Sequence, residues 1–489
     1  LNKTVKILLA LAMVALMAAP ALALESKLSG FLNVRGIGNN FSATNNYIGT
    51  LTDNAKTQNL VDQRLRMKLD TKINDYLSFT YYLEVDMQWG DEQYSNAGRN
   101  DGGGIGGDTT NLETKNAYFD VKVPDSTSSF RVGLQGFADH SDYSFFAADM
   151  AGVKYKAKLG GADLTAGWFK LIDGDTYGNR TSLLPNIDDV TLWALQAEFK
   201  PNANFKFGGD YYYYQNEGSQ AYATFLGTAD IAAVLAFNGG GGDWTANRQD
   251  MNLHYFNGHA EYRLENVVLS GWLEFSTGTA DSINNNTATT LTEDLDVQGF
   301  AGRLKAATNF GGLKLALAGT YFSGDDNLAD GDADFIVNPL ATESFAFATD
   351  GFMIFTPDIA WNSIGQYGFA MVDAAWAGYG LGSVVLTGAY TPEQMKNAYI
   401  KAGVGYFSSL EDKLAANDPR TDRAGTELGT EVYLRVGYRF AKKLDLSING
   451  SYASLGDFYD NNGGGKAVNE ATTDIDDPYE VYLKATLFF

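Results

Sequence analysis

Arg64, Arg66 and Lys68 recur at every second position, and beyond a polar turn near Asn74-Asp75 the acids Glu84 and Asp86 keep the same spacing. Residues two apart on a strand share a face, so these bases would look across a hairpin at those acids. Two kinds of chemistry fit such a wall. The charges can neutralise one another, which contributes about 0–1 kcal/mol per exposed pair. Alternatively they can line a passage, where a fixed field orients water and sorts solutes by charge and dipole. Further bases follow the same parity: Arg35, Arg131, Lys154 with Lys156 and Lys158, Arg303 with Lys305, and Arg435 with Arg439.

Other chemistries find little support. The only histidines are His140, His254 and His259, and cysteine is absent. A hydrolase needs a base beside a nucleophile and an acid to orient it. His254 and His259 lie an odd number of residues apart, so a strand would turn them to opposite faces. His259 is then a wall residue near Glu261, and no catalytic set is expected. Without cysteine there is no disulfide frame, thiolate metal site or C-x-x-C-H haem attachment. The run Asp326–Asp334 (DNLADGDAD) has carboxylates around a glycine, as calcium loops do. Setting Gly331 at the turn position puts Leu328 at a ligand position and Val337 where a bidentate glutamate belongs. The reading therefore assigns no metal and no cofactor.

The elements that carry these residues alternate with period two. From Leu77 to Trp89 apolar and polar residues take turns, too long for an ordinary globular strand and right for a tilted membrane-spanning one. The chain closes on another, Tyr479–Phe489, apolar at every second residue. Tight polar turns such as Gly160-Gly161, Glu265-Asn266 and Ala441-Lys442-Lys443 alternate with long segments: Gly90–Glu113, Gln215–Asp250, Ser323–Leu381 and Gly456–Asp477. That asymmetry predicts an all-β, antiparallel, up-and-down transmembrane barrel with short periplasmic turns and long external loops. Closure is required, because an open sheet edge in hydrocarbon leaves backbone groups unpaired. Eighteen strands are read. Weak alternation over Ala151–Leu171 leaves 16 open, and strands hidden in Gly365–Ala377 would make 20. Trp89, Trp193, Phe199, Phe205, Tyr211, Tyr438 and Phe440 are candidates for interfacial girdles, or simply good strand formers.

Lys3, Lys6, an apolar run from Ile7 to Met17 and Ala21-Leu22-Ala23 have the order of a secretory signal peptide, which divides the chain into 1–23 and a barrel domain, 24–489. The formal net charge of −23 excludes nucleic acid as a partner. Bases dominate the lumen-facing positions, so the acidic excess lies in the loops, either as mere solubility or as a mouth that concentrates cations.

The segments KLSGFLNVRG, QRLRMKLDTKINDYLSFTYYLEVDMQWG, LGTEVYLRVGYRFAKKLDLSINGSYASLGD and the terminal YLKATLFF resemble Gram-negative outer-membrane porins. The long loops are closer to the long-loop members of that superfamily than to compact 16-strand general porins. The resemblance implies an outer-membrane channel for small hydrophilic solutes and ions, a homotrimer, contact with lipid and lipopolysaccharide, and a final phenylalanine read by the barrel-assembly machinery. It also implies a third external loop folded inward opposite arginines. That loop would be Ala138–Met150, with Asp139, Asp142 and Asp149 facing Arg64, Arg66 and Lys68, joined by Arg35 and Arg131. The glycine-rich motif of general porins is missing there and the loop is short, so Ser323–Leu381 is the second candidate for the constriction. A substrate-specific channel, a surface adhesion or structural barrel, and a sheath for an electron-transfer partner remain as alternatives.

Overall fold

The structure is a computed structural model that describes residues 25–43, 49–50, 57–91, 103–105, 112–172, 189–217, 248–283, 295–327, 332–340, 350–357, 368–413, 423–460 and 476–489. The signal-peptide segment 1–23 lies outside them. Eighteen spanning strands follow in chain order. They are β1 (Glu25–Asn39), β2 (Gln58–Lys72), β3 (Leu77–Gln88), β4 (Glu113–Lys122), β5 (Ser129–Phe137) and β6 (Ala148–Leu159). Then come β7 (Ala162–Ile172), β8 (Val190–Asn202), β9 (Phe205–Glu217), β10 (Arg248–Leu264), β11 (Val267–Ile283) and β12 (Leu295–Phe310). The circuit ends with β13 (Leu313–Phe322), β14 (Leu381–Tyr390), β15 (Ala398–Ser408), β16 (Glu427–Phe440), β17 (Leu444–Leu455) and β18 (Tyr479–Phe488).

Each strand pairs antiparallel with its neighbours in sequence, and β18 pairs with β1 from Phe31↔Phe488 to Asn39↔Glu480, so the sheet has no free edge. Below that ladder Gly30 and Phe489 exchange both backbone hydrogen bonds, at 3.0 and 3.1 Å. Every spanning backbone thus finds its partners within the wall, which hydrocarbon demands.

The two uncertain regions resolve in physical terms. Ala148–Leu159 and Ala162–Ile172 are two full strands joined by Gly160-Gly161, both at positive φ, the conformation that a two-residue hairpin needs. Gly365–Ala377 contributes no strand among its described residues. Ala370–Ala375 is instead one turn of π-helix. The 17-residue strands β10 and β11 run beyond the apolar band, because their ladder continues from Leu264↔Val267 to Arg248↔Ile283.

Outward positions carry Leu195, Leu273, Leu304, Leu317, Ile448 and Leu483, all exposed. Aromatic residues flank them toward the strand ends. Trp89, Trp193, Phe300 and Tyr406 lie toward the loop end, and Phe199, Phe207, Phe310, Tyr438 and Phe440 toward the turn end. An apolar belt between two aromatic rings is the surface of a body that spans a bilayer.

Candidate functional site

The lumen has two unlike sides. On β1 to β3 the inward positions form a strip of ion pairs that register dictates: Arg64 stands opposite Asp86 and Arg66 opposite Glu84. Arg35 holds Asp62 with two bonds of 3.2 and 2.7 Å, and Arg64 holds Asp86 with two of 2.7 and 2.6 Å. Arg64 also reaches Glu84 at 3.3 Å, and Arg66 bonds Glu84 directly. Arg35, Asp62, Arg64, Glu84 and Asp86 are at most 4% exposed. Paired two-pronged guanidinium–carboxylate contacts of this kind are directional as well as charged. Toward the turn end the strip opens. Lys68 and Asp70 meet at 3.1 Å, while Arg131 takes Asp120 at 2.8 Å and lies 3.9 Å over the Tyr118 ring. These residues border a polar cleft of about 400 Å³ at the turn end of the barrel.

On β8 to β13 the inward face is not the wet, charged face that alternation suggests. Val190, Leu192, Tyr212, Tyr214, Leu253, Tyr255, Trp272 and Phe322 are almost wholly buried there. Two external segments fold in to cover them. The first, 138–147, inserts Phe145 and Phe146, both at 0% exposure. Phe146 meets Tyr212 and Tyr255 at 4.7 and 5.0 Å between ring centres, and Phe145 meets Trp272 and Phe322 at 6.3 and 5.8 Å. Two adjacent phenylalanines in an otherwise polar loop are the sequence signal for this inward packing, since burial of such rings is strongly favourable. The second segment, within 323–380, buries Phe335, Ile336, Phe352, Ile354, Phe355 and Trp376.

Hydrogen bonds lock both segments to the wall and to each other. Asn338 Nδ2 donates to Ser144 O at 2.9 Å, and Tyr255 Oη to Val337 O at 2.7 Å. The Glu431 carboxylate, fully buried on β16, accepts the backbone N–H groups of Met353, Ile354 and Phe355 at 2.8, 3.1 and 2.8 Å. Tyr433 Oη donates to Asp350 O at 2.8 Å. Arg303 on β12 contacts both segments: Asp142 of the first at 3.1 Å and Asp350 of the second. Lys305 joins Asp350 at 3.2 Å.

The three acids assigned to a single constricting face are thus separated. Asp139 turns inward on its own loop and accepts the N–H groups of Ser141, Tyr143, Phe145 and Phe146 at 2.7–3.0 Å. Burial pushes its carboxyl above the usual range even though these four donors favour the anion. Asp142 meets Arg303 and Trp272, not Arg64 or Arg66. Asp149 is not in the loop but in β6, where it holds Lys115 at 2.6 Å and Asn116 at 2.7 Å. The reason is local: a loop of this length satisfies its own backbone before it can span the lumen.

Among the remaining bases, Lys154 bonds Gly136 O at 3.0 Å, Lys156 is exposed, and Arg435 donates to Tyr482 Oη at 3.1 Å. Glu431, Asp350, Glu274 and Asp210 are not singled out by sequence. Strand parity does turn Glu431, Glu274 and Asp210 inward, but each also meets a loop residue distant in sequence.

No family model and no curated protein sequence matches the chain. Solved structures match it over nearly its whole length. OccAB1 of Acinetobacter baumannii superposes with a TM-score of 0.52 at 13% identity, over 95% of this chain and 97% of that one. OccK8 (OprE) of Pseudomonas aeruginosa gives 0.51 at 11% identity, over 95% and 98%. OccAB4 of A. baumannii gives 0.50 at 13%, again over 95% and 98%. At such identities the likeness concerns fold. The closed antiparallel barrel of eighteen strands, with short turns at one end and long inward-folding loops at the other, has the fold of the Gram-negative outer-membrane porins.

Proposed function

We propose that the protein is an outer-membrane porin, a passive water-filled channel for small hydrophilic solutes and ions, narrowed by the segment 138–147 and by residues 332–340, 350–357 and 368–380. One observation carries this reading: both segments are pinned inside a closed barrel beside a continuous strip of charged wall. Lys68, Arg131 and the exposed Lys156 then face the open passage, while Arg35, Arg64, Arg66, Glu84, Asp86 and Lys154 form the buried polar wall behind it and Arg303 and Arg435 serve as anchors. Constriction comes from the packed aromatic segments and Asp142, rather than from Asp139 or Asp149.

A lumen filled this far by its own loops favours a narrow and selective channel over a wide general one. It also argues against a sheath, whose lumen must admit a partner, and a surface adhesin gives the pinned segments no task. The same reading extends to removal of 1–23 as a signal peptide, insertion by the barrel-assembly machinery, a surface against lipopolysaccharide, and trimerisation. It includes no catalytic step.

Single-channel recording from the purified barrel in planar bilayers tests the proposal. A steady open conductance smaller than that of a wide general porin is expected. A barrel that shows heat-modifiable gel migration, and so is folded, yet never conducts would overturn it.

A further inference from the structure

The loop 138–147 brings His140 against the wall where β8, β9 and β10 lie side by side. Glu198, Gly208 and His259 sit in one row across those strands, since Glu198 pairs with Gly208 and Gly208 with His259. The row depends on the glycine: a Cβ at Gly208 would lie 2.5 Å from His259 Nε2 and Cε1. With nothing between them, His259 Nε2 approaches Glu198 Oε2 to 3.8 Å. The His140 and His259 rings stand 4.3 Å apart between centres. Donor atoms of His140, His259 and Glu198 all fall within 4.8 Å of one another.

The hydrogen bonds around these rings set their tautomers. His140 Nδ1 meets Asp210 Oδ2 at 2.8 Å, and His259 Nδ1 meets Asn257 Oδ1 at 3.0 Å. An oxygen on Nδ1 leaves the lone pair on Nε2, the arrangement that metal-binding histidines share. His259 Nε2 is buried and has no hydrogen-bond partner, and neither has Asp210 Oδ1 behind it. An unpartnered imidazole nitrogen in a side chain only 9% exposed is a costly feature unless a ligand completes it.

We infer that His140, His259 and Glu198 form a binding site for a divalent transition-metal ion of the zinc, nickel or copper class. Two neutral imidazoles and a carboxylate suit those ions, whereas calcium and magnesium favour oxygen-only shells. Bonds of about 2.0–2.2 Å to a tetrahedral ion place donors roughly 3–3.5 Å apart. The needed contraction of about 1 Å falls to His140 and Glu198, whose side chains are 36% and 26% exposed. Lys206 holds Glu198 Oε2 at 3.2 Å, which leaves the second carboxylate oxygen for the ion. Asp210 orients His140 from behind, and a water supplies the fourth position. No local pattern shows this set, because it joins a loop to a wall far away along the chain, and Glu261, on the same face as His259, instead holds Arg263. The site requires folding of the barrel but not conduction.

Isothermal titration of tag-free, full-length folded protein with zinc chloride tests the site, with calcium chloride as the control. One zinc per chain is expected and no calcium heat. His140→Ala, His259→Ala and Glu198→Gln should each weaken zinc binding at least about tenfold. His254→Ala should leave it unchanged, since that ring stacks outside between Tyr211 and Tyr213. Heat-modifiable migration confirms that each variant is folded, and should His259→Ala fail to fold, His140→Ala in the loop and Glu198→Gln decide. Absence of zinc binding to the parent, as a plain His140–Asp210 ion pair would give, overturns the inference, as does parental affinity in the folded His140 and Glu198 variants.

Discussion

At the scale of single residues, Glu431 and Arg303 act on the channel without facing a solute. Glu431 gathers three consecutive backbone N–H groups from 353–355 and a hydroxyl from Ser451 at 2.5 Å. An oxyanion in such a nest of donors holds them more strongly than a neutral acceptor would. Glu431→Gln keeps the shape but turns an NH2 group toward donors, at a cost of about 1–3 kcal/mol to the docked segment. The expected result is faster amide exchange at Met353, Ile354 and Phe355, together with a larger and noisier conductance. Unchanged protection would sink the idea that Glu431 is the anchor. Arg303→Met removes the cation shared by Asp142 and Asp350, and breaking a buried pair costs about 3–5 kcal/mol. Both segments should then loosen together, so the conductance increase should exceed that of Glu431→Gln. A variant that conducts like the parent would show that aromatic packing alone holds the constriction.

At the scale of elements, one strand serves two solvents. Leu304 on β12 is 72% exposed and lies between outward Phe300 and Phe310, which places it near the middle of the apolar belt. Leu304→Arg should cost about 2–4 kcal/mol of barrel stability in urea titrations from lipid vesicles. Lys156→Gln, on a lumen wall, should leave that titration unchanged and alter only ion selectivity. Equal losses in both variants would contradict the inside–outside assignment. The strands themselves are legible in sequence because hydrocarbon outside enforces period two, and Leu77–Trp89 shows it without structure. The hairpin pairs Arg64–Asp86 and Arg66–Glu84 follow from register for the same reason. What period two cannot show is which inward faces are wet. Tyr212 and Tyr255 alternate as lumen residues should, yet they are core, because Phe145, Phe146 and Val337 arrive from loops whose path no local pattern encodes. His140, Glu198 and His259 were beyond reach for that reason too.

For the whole molecule, the decisive quantity is where the charge of −23 acts. The lumen strip is rich in bases, yet Arg35, Arg64, Arg131 and Arg303 are matched by Asp62, Asp86, Asp120 and Asp350. Matched pairs cancel at a distance, so the wall contributes little net field and the acidic loops dominate the mouth. There Glu411 lies near Asp326, Asp412 and Asp325, and burial followed by these like charges raises its carboxyl above the ordinary 4.5. A raised carboxyl favours the folded mouth below its ordinary value, and this contribution is lost as pH rises through the folded value. Acidification therefore begins to neutralise Glu411 above the ordinary glutamate value. The channel should prefer cations in a salt-gradient reversal potential at neutral pH. That preference should decline as pH falls toward the carboxylate range, beginning above 4.5. Glu411→Gln should reduce the neutral-pH preference and remove the earliest part of the decline. High salt should shrink the effect, because exposed mouth charges are screened within about 10 Å at 0.1 M. An anion preference that persists across this range would mean that the lumen bases, not the loops, set the sign, and would return Lys154 and Lys156 to the centre of the selectivity argument.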